Sequence, residues 1–439
     1  MKQDNPPVLI VGAGIAGLIA AIRLASAGHS VEVLERRSTP GGRATSATHR
    51  GFVFNQGAHA LYRTGPLSRE LAALGLEPSG RSPAGGRGMK AVRRGTLHLL
   101  PQSVLTTALS GLLGTKDKLS LARALGQIQR ARPSELASVS VSEWVADLTP
   151  RAVVCELLTA IIRLSTYAGS PRLSAEVAAN QLQLAMKGVL YLDGGWQQLV
   201  DLLRTRATDS GVRFHLTAEV IAAEERDGGV VVWEKNGTAH HGAAVIVATS
   251  PAIAGKITGS ETLQRFAEHA EPAKVSTLTV GVRGEVRPVD FVLGIDEPTY
   301  FSVHSRTANL APAGDTLIEV VEYWESPHDE LASREARLSD VVDQAIGLEW
   351  RERVAHRRFL PAMTTTHAVP TAAEGGLSGR PPSALSDRPR SFIAGDWVGP
   401  TGHLSDASAA SGAAAANLVL ALLDSRPRAG RHAAGRPAA

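Results

Sequence analysis

The first forty residues alternate apolar runs with glycine turns. Val8–Val11 is a short run rich in β-branched residues, which predicts a buried strand. A glycine-rich turn over 12–17 follows at once, and the spacing of apolar residues from Leu18 to Ala27 is helical. A second apolar run over 31–34 predicts another strand. This order of strand, glycine turn, helix and strand is typical of a βαβ unit in a parallel sheet.

The turn of this unit has the glycine spacing that dinucleotide-binding proteins use. Gly12 permits the tight turn, Gly14 lets a pyrophosphate approach the backbone, and Gly17 lets the helix pack closely. Glu35 lies 23 residues after Gly12, where a carboxylate accepts hydrogen bonds from ribose hydroxyls and repels a 2′-phosphate. The fingerprint leaves FAD and NAD open. The residues predicted to bind the cofactor here are Gly12, Gly14, Ile15, Ala16, Gly17, Glu35 and Arg36.

The loop after the second strand favours FAD. Gly41, Gly42 and Arg43 follow Glu35 closely. Adjacent glycines let the loop approach a diphosphate and ribityl chain, and the arginine supplies charge-assisted hydrogen bonds. A surface turn would explain the triplet alone, but its position just after the ribose acid favours a cofactor role for Gly42 and Arg43.

With these residues the chain resembles the flavin amine oxidase and phytoene desaturase superfamily, which includes protoporphyrinogen oxidases. Further blocks carry the likeness, including Gly194–Leu199, the strand pattern around Val220, and a C-terminal block with Gly395 and Asp396. The main blocks lie at 11–18 with Glu35, 41–44, 54–59, 392–397 and 404–412. The likeness covers roughly half of the chain and is specific for the cofactor rather than for the substrate.

The resemblance implies an α/β fold with a Rossmann-type FAD-binding domain assembled from separated segments and a second, α+β substrate domain. We expect the segments of the FAD-binding domain at 1–80, 190–255 and 385–425. The segments 81–189 and 256–384 would form the substrate domain. Residues 426–439 are rich in Pro, Gly and Ala, and they predict a disordered basic tail.

The resemblance also implies roles for residues outside the first unit. Gly57 and Ala58 would pass beside the isoalloxazine ring, and the backbone of Val220 would meet the adenine. Asp396 would lie near the ribityl and phosphate region. The N-terminus of a helix that starts at Ser405 would point at the flavin and stabilise its anionic reduced form. The additional residues assigned to the cofactor are Gly57, Ala58, Val220, Gly395, Asp396, Ser405, Asp406 and Ala407.

His59 is the side chain that we expect to act on the substrate. Its ordinary pKa range suits proton transfer or the orientation of a polar group. A structural histidine beside the cofactor is an equally good interpretation. The C-terminal block has no cysteine, so we expect FAD to be bound non-covalently.

These residues favour an FAD-dependent oxidoreductase that removes hydride from an apolar small molecule, an isoprenoid or polyene, to form a C=C bond. The alternative is an amine or porphyrinogen oxidase of the same superfamily. Leu404 and Ser405 bring no aromatic residue to the C-terminal block, and aromatic residues make up only 4% of the chain. We therefore expect no aromatic cage for an amine. An FAD-binding protein without catalysis is a third hypothesis.

Composition and net charge do not change the expectation of an FAD-dependent oxidoreductase. The net charge of +4 is carried by four arginines within 426–439, so the excess charge does not favour nucleic acid as a partner. One cysteine, Cys155, indicates a reducing compartment. We expect neither a signal peptide nor a membrane span, because no long apolar stretch precedes the first strand and no apolar run approaches the ~20 residues of a span. No His/Asp/Glu spacing suggests a metal site. We expect a cytoplasmic enzyme.

The segment 104–113 leaves a peripheral membrane contact open. Its apolar residues recur at helical spacing on one face. A core helix of the substrate domain is the favoured interpretation, and a helix that dips into a membrane or lines a lipid entry is the alternative.

Overall fold

The computed structural model describes residues 6–86, 88–325 and 333–425. The helices are α1 (Ile15–Ser26), α2 (Pro66–Ala73), α3 (Val104–Leu109), α4 (Thr115–Arg130), α5 (Val141–Leu148), α6 (Ala152–Thr166), α7 (Ala175–Met186), α8 (Gln197–Asp209), α9 (Pro251–Thr258), α10 (Glu261–His269), α11 (Arg334–Ile346) and α12 (Ser405–Asp424). The strands are β1 (Val8–Val11), β2 (Val31–Glu35), β3 (Ser46–His49), β4 (Phe52–Asn55), β5 (Leu61–Tyr62), β6 (Gly80–Arg81), β7 (Met89–Arg93), β8 (Thr96–Leu99), β9 (Val189–Leu192), β10 (Arg213–Leu216), β11 (Val220–Arg226), β12 (Gly229–Glu234), β13 (Ala239–Gly242), β14 (Ala244–Val247), β15 (Ala273–Val282), β16 (Phe291–Gly294), β17 (Thr299–Val303), β18 (Thr316–Tyr323), β19 (Val354–Thr366), β20 (Ala384–Leu385) and β21 (Arg388–Ile393).

A six-stranded sheet in the order β10-β2-β1-β14-β21-β20 contains the predicted βαβ unit. The first five strands run parallel, and β20 pairs antiparallel with β21. Every residue of β1 and β14 is buried, as expected for strands covered on both faces of a parallel sheet. The parallel strands come from each of the three segments assigned to the FAD-binding domain, while the proposed domain boundaries stay predictions.

Helix α12 covers one face of this sheet together with α1. A Cβ atom at Gly412 would lie 2.3 Å from the carbonyl oxygen of Ala16, so the two backbones touch where only glycine fits. By length and composition alone, α12 could cross a membrane, which differs from our expectation of no such run. Half of its most apolar stretch is buried, and the helix packs against α1 and α2 as a core helix.

A second unit is built on a seven-stranded sheet in the order β19-β15-β18-β17-β16-β7-β8. Its pairings are antiparallel except for β16 with β7. The helices α4 to α7 contribute to a core that one side of this sheet shares, and α11 packs on β18. The architecture is therefore mixed α/β, as predicted.

The segment 104–113 differs from its favoured interpretation. Helix α3 ends at Leu109, and the side chains of Val104, Leu105 and Leu109 are 91%, 67% and 61% exposed. Among the apolar residues of the segment, only Leu112 and Leu113, which lie beyond the helix, are buried. The expectation of a core helix is therefore wrong for α3. The predicted disordered tail at 426–439 lies outside the described residues.

Candidate active site

A single cavity of about 1860 Å³ lies between the carboxyl edge of the six-stranded sheet and the second unit. We call its two sides the nucleotide wall and the substrate wall. The nucleotide wall comprises Gly12, Gly14, Ile15, Ala16, Glu35, Arg36, Gly42, Arg43, Val220, Gly395 and Asp396. The substrate wall comprises Leu125, Ile128, Leu158, Ile161, Leu164, Leu182, Met186, Phe291, Leu293 and Tyr300.

The glycines of the first turn differ in what surrounds them. Gly12 has a φ of +100°, and a Cβ there would lie 2.6 Å from the carbonyl oxygen of Ala248. A Cβ at Gly17 would lie 2.0 Å from the carbonyl oxygen of Gly12, so the protein itself requires both glycines. Gly14 has no protein atom within 4 Å of a Cβ and faces the cavity. The open space at the start of α1 fits a pyrophosphate on the helix N-terminus.

Glu35 ends β2 with its carboxylate held in place. One oxygen accepts a hydrogen bond from the amide of Ala13 at 2.8 Å, and the other accepts one from the amide of Arg37 at 2.8 Å. Each carboxylate oxygen can accept a second hydrogen bond, so Glu35 can still accept hydrogen bonds from ribose hydroxyls in the cavity.

Arg43 and Asp396 form a charged pair across the nucleotide wall. The guanidinium of Arg43 lies 2.9 Å from the carboxylate of Asp396, which is 2% exposed. His367 also reaches Asp396, through its backbone amide at 2.9 Å and its Nδ1 at 2.8 Å. Burial raises the pKa of Asp396, but Arg43 and His367 outweigh it and hold this pKa well below its usual range. The loop at Arg43 is thereby fixed to the end of β21.

The start of α12 forms part of the cavity surface. Leu404, Ser405 and Ser408 line the cavity. Leu404 has a φ of +53°, a backbone conformation that costs free energy for a branched side chain and that clusters at functional sites.

A buried arginine and histidine support this loop from behind. Arg380 donates to the carbonyl of Gly402 at 2.9 Å and to Nδ1 of His403 at 3.3 Å, and His403 Nε2 donates to the carbonyl of Thr166 at 2.8 Å. Burial lowers the pKa of His403 to about 4, so its ring is neutral and Nδ1 can accept. No sequence motif predicted this pair.

His59 lies in the cavity between the two walls. Its Nδ1 is 2.8 Å from the carbonyl oxygen of Gly57, and its ring packs on Trp196 with centroids 4.8 Å apart. A carbonyl can only accept, so Nδ1 carries the proton and Nε2 keeps a lone pair. Burial lowers the pKa of His59 to about 4.

The cavity is rich in tyrosine, which the sequence analysis missed. Four tyrosines line it, and a fifth, Tyr323, packs its ring near Tyr167 and Tyr300. The hydroxyls of Tyr167 and Tyr300 are 3.0 Å apart. The lining tyrosines are Tyr62, Tyr167, Tyr191 and Tyr300. The small total of aromatic residues therefore does not imply a cavity without rings, because folding concentrates the tyrosines here.

The structure brings most predicted site residues to the cavity. Besides the nucleotide wall, Ala58, His59 and Ser405 line it. Four predicted residues do not line it: Gly17, Gly57, Asp406 and Ala407.

Each of these four makes a packing contact in the structure, which for Gly17 is the close packing of the helix that the sequence predicted. Gly17 lies beneath the turn at Gly12, and Gly57 lies behind Met363, whose terminal methyl would be 2.5 Å from a Cβ. Ala407 is fully buried, and Asp406 turns away from the cavity to accept a hydrogen bond from the amide of Leu67 at 2.8 Å. Asp406 therefore caps α2.

The sequence is similar, over part of its length, to known proteins. Protoporphyrinogen oxidase 2 of Arabidopsis thaliana is 27% identical over 181 residues, 41% of this chain and 34% of that protein. The zeta-carotene-forming phytoene desaturase of Myxococcus xanthus is 28% identical over 249 residues, 48% of this chain and 47% of that protein. The matched stretches thus span about a third to a half of these relatives.

Similarity of fold extends over nearly the whole chain. The structure of a putrescine oxidase bound to putrescine superposes with a TM-score of 0.72 at 18% identity, covering 95% of this chain and 99% of that one. Residues 15–420 match the profile of the family described as flavin containing amine oxidoreductase. The chain belongs to this family.

Proposed function

We propose that this enzyme uses non-covalent FAD to oxidise an apolar small molecule, with a hydride leaving one carbon for the flavin and a proton leaving the neighbouring carbon, so that a C=C bond forms. The observation that carries the proposal is the aliphatic substrate wall. Helices α4, α6 and α7 present leucine, isoleucine and methionine side chains to the cavity. Burial of an extended hydrocarbon against this surface gains about 25 cal/mol for each Å² removed from water.

The nucleotide wall has the groups that FAD needs. The amides at the start of α1 and the open space at Gly14 suit a pyrophosphate, and Glu35 suits ribose hydroxyls. A bound flavin would supply the hydride acceptor. Cys155 donates its thiol to the carbonyl of Thr149 at 3.2 Å and does not line the cavity, which supports non-covalent binding.

In this proposal His59 orients the substrate or receives a proton. Its Nδ1 proton is held by Gly57, so Nε2 is the acceptor. A pKa of about 4 keeps the ring neutral at pH 7 but makes it a weak base. Placing the substrate against the flavin is therefore the larger part of its role.

Amine oxidation is the second candidate, and the tyrosines favour it. Tyr62, Tyr167, Tyr191 and Tyr300 put rings into the same cavity, where an ammonium or amine could pack on their faces. Among the described lining residues Asp290 is a carboxylate near this region, but Arg306 already pairs with it. A cationic amine would therefore depend on the rings alone.

Anaerobic bleaching of the flavin separates the two candidates. The FAD-loaded enzyme is mixed without oxygen with a polyene precursor, a primary amine or a porphyrinogen, and flavin absorbance is followed. We expect bleaching by the polyene only. Bleaching by amine or porphyrinogen alone would overturn the desaturation proposal, while a purified protein that binds no FAD would overturn the cofactor assignment.

A substitution tests His59 separately. We expect His59→Ala to lower turnover about 10–100-fold while FAD stays bound, because Nε2 is lost from the cavity but the nucleotide wall is intact. His269→Ala, at the exposed end of α10, is the control and should keep full activity. Unchanged turnover of His59→Ala at full flavin occupancy would remove His59 from the mechanism.

We further propose that a cytoplasmic form of the enzyme contacts an anionic membrane surface through α3. Val104, Leu105 and Leu109 are exposed, and Lys116 and Lys118 follow at the start of α4. Apolar side chains beside cations suit an interface with anionic lipid. Pro101 and Gln102, directly before α3, line the cavity, so a lipid-soluble substrate could enter there.

Vesicle sedimentation tests this contact. We expect the protein to sediment with vesicles that contain phosphatidylserine and the double variant Val104→Ser/Leu105→Ser to stay in solution with its flavin bound. Equal sedimentation of both proteins would contradict the proposal.

A further inference from the structure

Outside the cavity, three ligating side chains from distant parts of the chain meet at the edge of the six-stranded sheet. They are Glu32 on β2, His215 on β10 and His240 on β13. One oxygen of Glu32 and one ring nitrogen of each histidine all lie within 4.8 Å of one another. We propose that this cluster, which we call the edge triad, is a binding site for a divalent d-block cation of the zinc class.

The hydrogen bonds of His240 leave one of its lone pairs aimed into the triad. Its Nε2 is 2.7 Å from a carboxylate oxygen of Glu234, which can only accept, so Nε2 carries the proton. In the tautomer that this hydrogen bond favours, Nδ1 carries a lone pair that faces an oxygen of Glu32 at 3.8 Å. Two acceptors face each other at a distance too long for a hydrogen bond, and a cation between them would bind both.

His215 completes the set of ligands. Its Nε2 lies 2.9 Å from the same oxygen of Glu32, so at present the two share a proton. A bound cation would replace that proton, and the proton would be released to water. Zinc–ligand bonds of about 2.0–2.1 Å in a tetrahedron place neighbouring ligand atoms about 3.3 Å apart, between the two distances observed here.

The surroundings resemble those of a metal site in a further respect. Glu234 orients His240 through the ring nitrogen that does not face the triad, the arrangement by which a carboxylate fixes the tautomer of a metal-bound histidine. The side chains of Glu32 and His240 are 13% and 10% exposed, whereas His215 is 37% exposed and leaves a path for entry. Two imidazoles and one carboxylate suit zinc or its neighbours, with water as the fourth ligand.

One contact opposes the cation. Arg213 pairs with the other oxygen of Glu32, so its positive charge lies near the site. The oxygen that faces the histidines is free of this arginine. We therefore expect Arg213→Ala to bind zinc more tightly than the unaltered protein does, by a factor that titration measures.

A bound cation would join two sheets beside the nucleotide wall. Glu32 and His215 belong to adjacent strands of the six-stranded sheet, while His240 and Glu234 belong to the three-stranded sheet β11-β12-β13. Glu35 follows Glu32 on β2, and Val220 begins β11, and both line the cavity. The site would thus fasten two parts of the nucleotide wall to each other.

Calorimetric titration of the tag-free, EDTA-treated, flavin-loaded enzyme with ZnCl₂ tests the proposal. We expect one equivalent of zinc to bind, a rise in thermal midpoint with zinc, and a visible spectrum of tetrahedral type when Co²⁺ replaces it. His240→Ala and His215→Ala should each lose this binding. Glu234→Ala, which removes only the orienting partner, should weaken it about 10–100-fold.

His241 provides a matched control. It is the next residue on β13, it is exposed, and its side chain points to the other face of the strand. His241→Ala should bind zinc as the unaltered protein does. The proposal is overturned if no stoichiometric binding occurs, or if His240→Ala and His215→Ala, both with an unchanged flavin spectrum, bind zinc as well as His241→Ala does.

Discussion

The nucleotide wall and the substrate wall of the cavity differ in the chemical groups that they present. The nucleotide wall is backbone and charge: glycines at the ends of strands, the anchored carboxylate of Glu35 and the pair of Arg43 with Asp396. The substrate wall is made of aliphatic and aromatic side chains on helices and on the strands β16 and β17. The first wall would bind its ligand through exposed backbone and a few fixed charges, and the second would bind through apolar side chains.

This difference explains why the sequence predicts the nucleotide wall well and the substrate wall poorly. A wall of glycines and acids at fixed spacing forms a motif, because each position has one acceptable residue. A wall of leucine, isoleucine and methionine can be made in many ways, since apolar residues of similar volume replace one another at small cost. The cofactor follows from the first wall, and the substrate is proposed from the second.

The largest expected effect is on the nucleotide wall. Gly14→Val should fold, because its φ of −75° is ordinary and no protein atom lies within 4 Å of its Cβ, with a loss of only about 1 kcal/mol at the helix start. The new side chain should fill the space at the start of α1 and abolish flavin binding. Flavin absorbance and circular dichroism measure both outcomes.

Gly17→Val is the contrasting variant. Its Cβ would collide with the carbonyl of Gly12 at 2.0 Å, so we expect a loss of about 3 kcal/mol or more in the free energy of unfolding. If Gly14→Val retained flavin, or if Gly17→Val were as stable as Gly14→Val, the distinction between a cofactor glycine and a packing glycine would be wrong.

A charge introduced on the substrate wall should lower kcat/KM without reducing flavin binding. Ile161→Asp places a carboxylate on the cavity side of α6, where an apolar substrate would have to desolvate it. We expect full flavin occupancy and a fall of about 100-fold in kcat/KM for the substrate that bleaches the flavin, about 3 kcal/mol. Stopped-flow reduction of the flavin measures it.

Val153→Asp is the matched control for this charge. Val153 is half-buried on the same helix but does not line the cavity. Its kcat/KM should stay within a few-fold of that of the unaltered enzyme. Equal losses in both variants would mean that the charge acts on the stability of α6 rather than on the substrate.

The smallest expected effect concerns Asp406, which belongs to the nucleotide segments in sequence but to neither wall in space. Burial raises its pKa to about 6, against lowering by the amide of Leu67 and by Arg69. The folded state then binds more protons than the unfolded state between about pH 4 and pH 6, so this carboxyl lowers the free energy of unfolding by about 2–3 kcal/mol as pH rises through that window.

Asp406→Asn keeps an oxygen for the amide of Leu67 and removes the titration. Relative to the unaltered protein, the variant should therefore gain stability as pH rises from 4 to 7. Denaturant unfolding at pH 5 and pH 7.5 measures the difference, and parallel pH profiles would show that Asp406 does not titrate in this way.

The sequence predicts secondary-structure elements well where the hydrophobic pattern and a glycine motif occur together. The strands at Val8 and Val31, the helix that follows Gly14 and the helix from Ser405 all lie where expected, within a few residues. They are recognisable because the hydrophobic period and the glycine positions are set within about thirty residues of chain.

What sequence did not predict depends on contacts between distant segments. Asp406 has the spacing of a cofactor residue, but the packing of α12 against α2 turns it toward Leu67. The four cavity tyrosines come from four separate elements, and the residues of the edge triad from three strands. No local period relates such residues, because only tertiary packing brings them together.

The order of strands in the six-stranded sheet determines how early the sheet can form while the chain is being synthesised. β14 pairs with β21, which begins only at Arg388, so the sheet is incomplete until most of the chain has left the ribosome. Pairing over such a separation is slow, and until then the apolar edge of β14 is open to wrong partners. We expect nascent chains to need shielding at this edge, and flavin to be loaded only after synthesis is nearly finished.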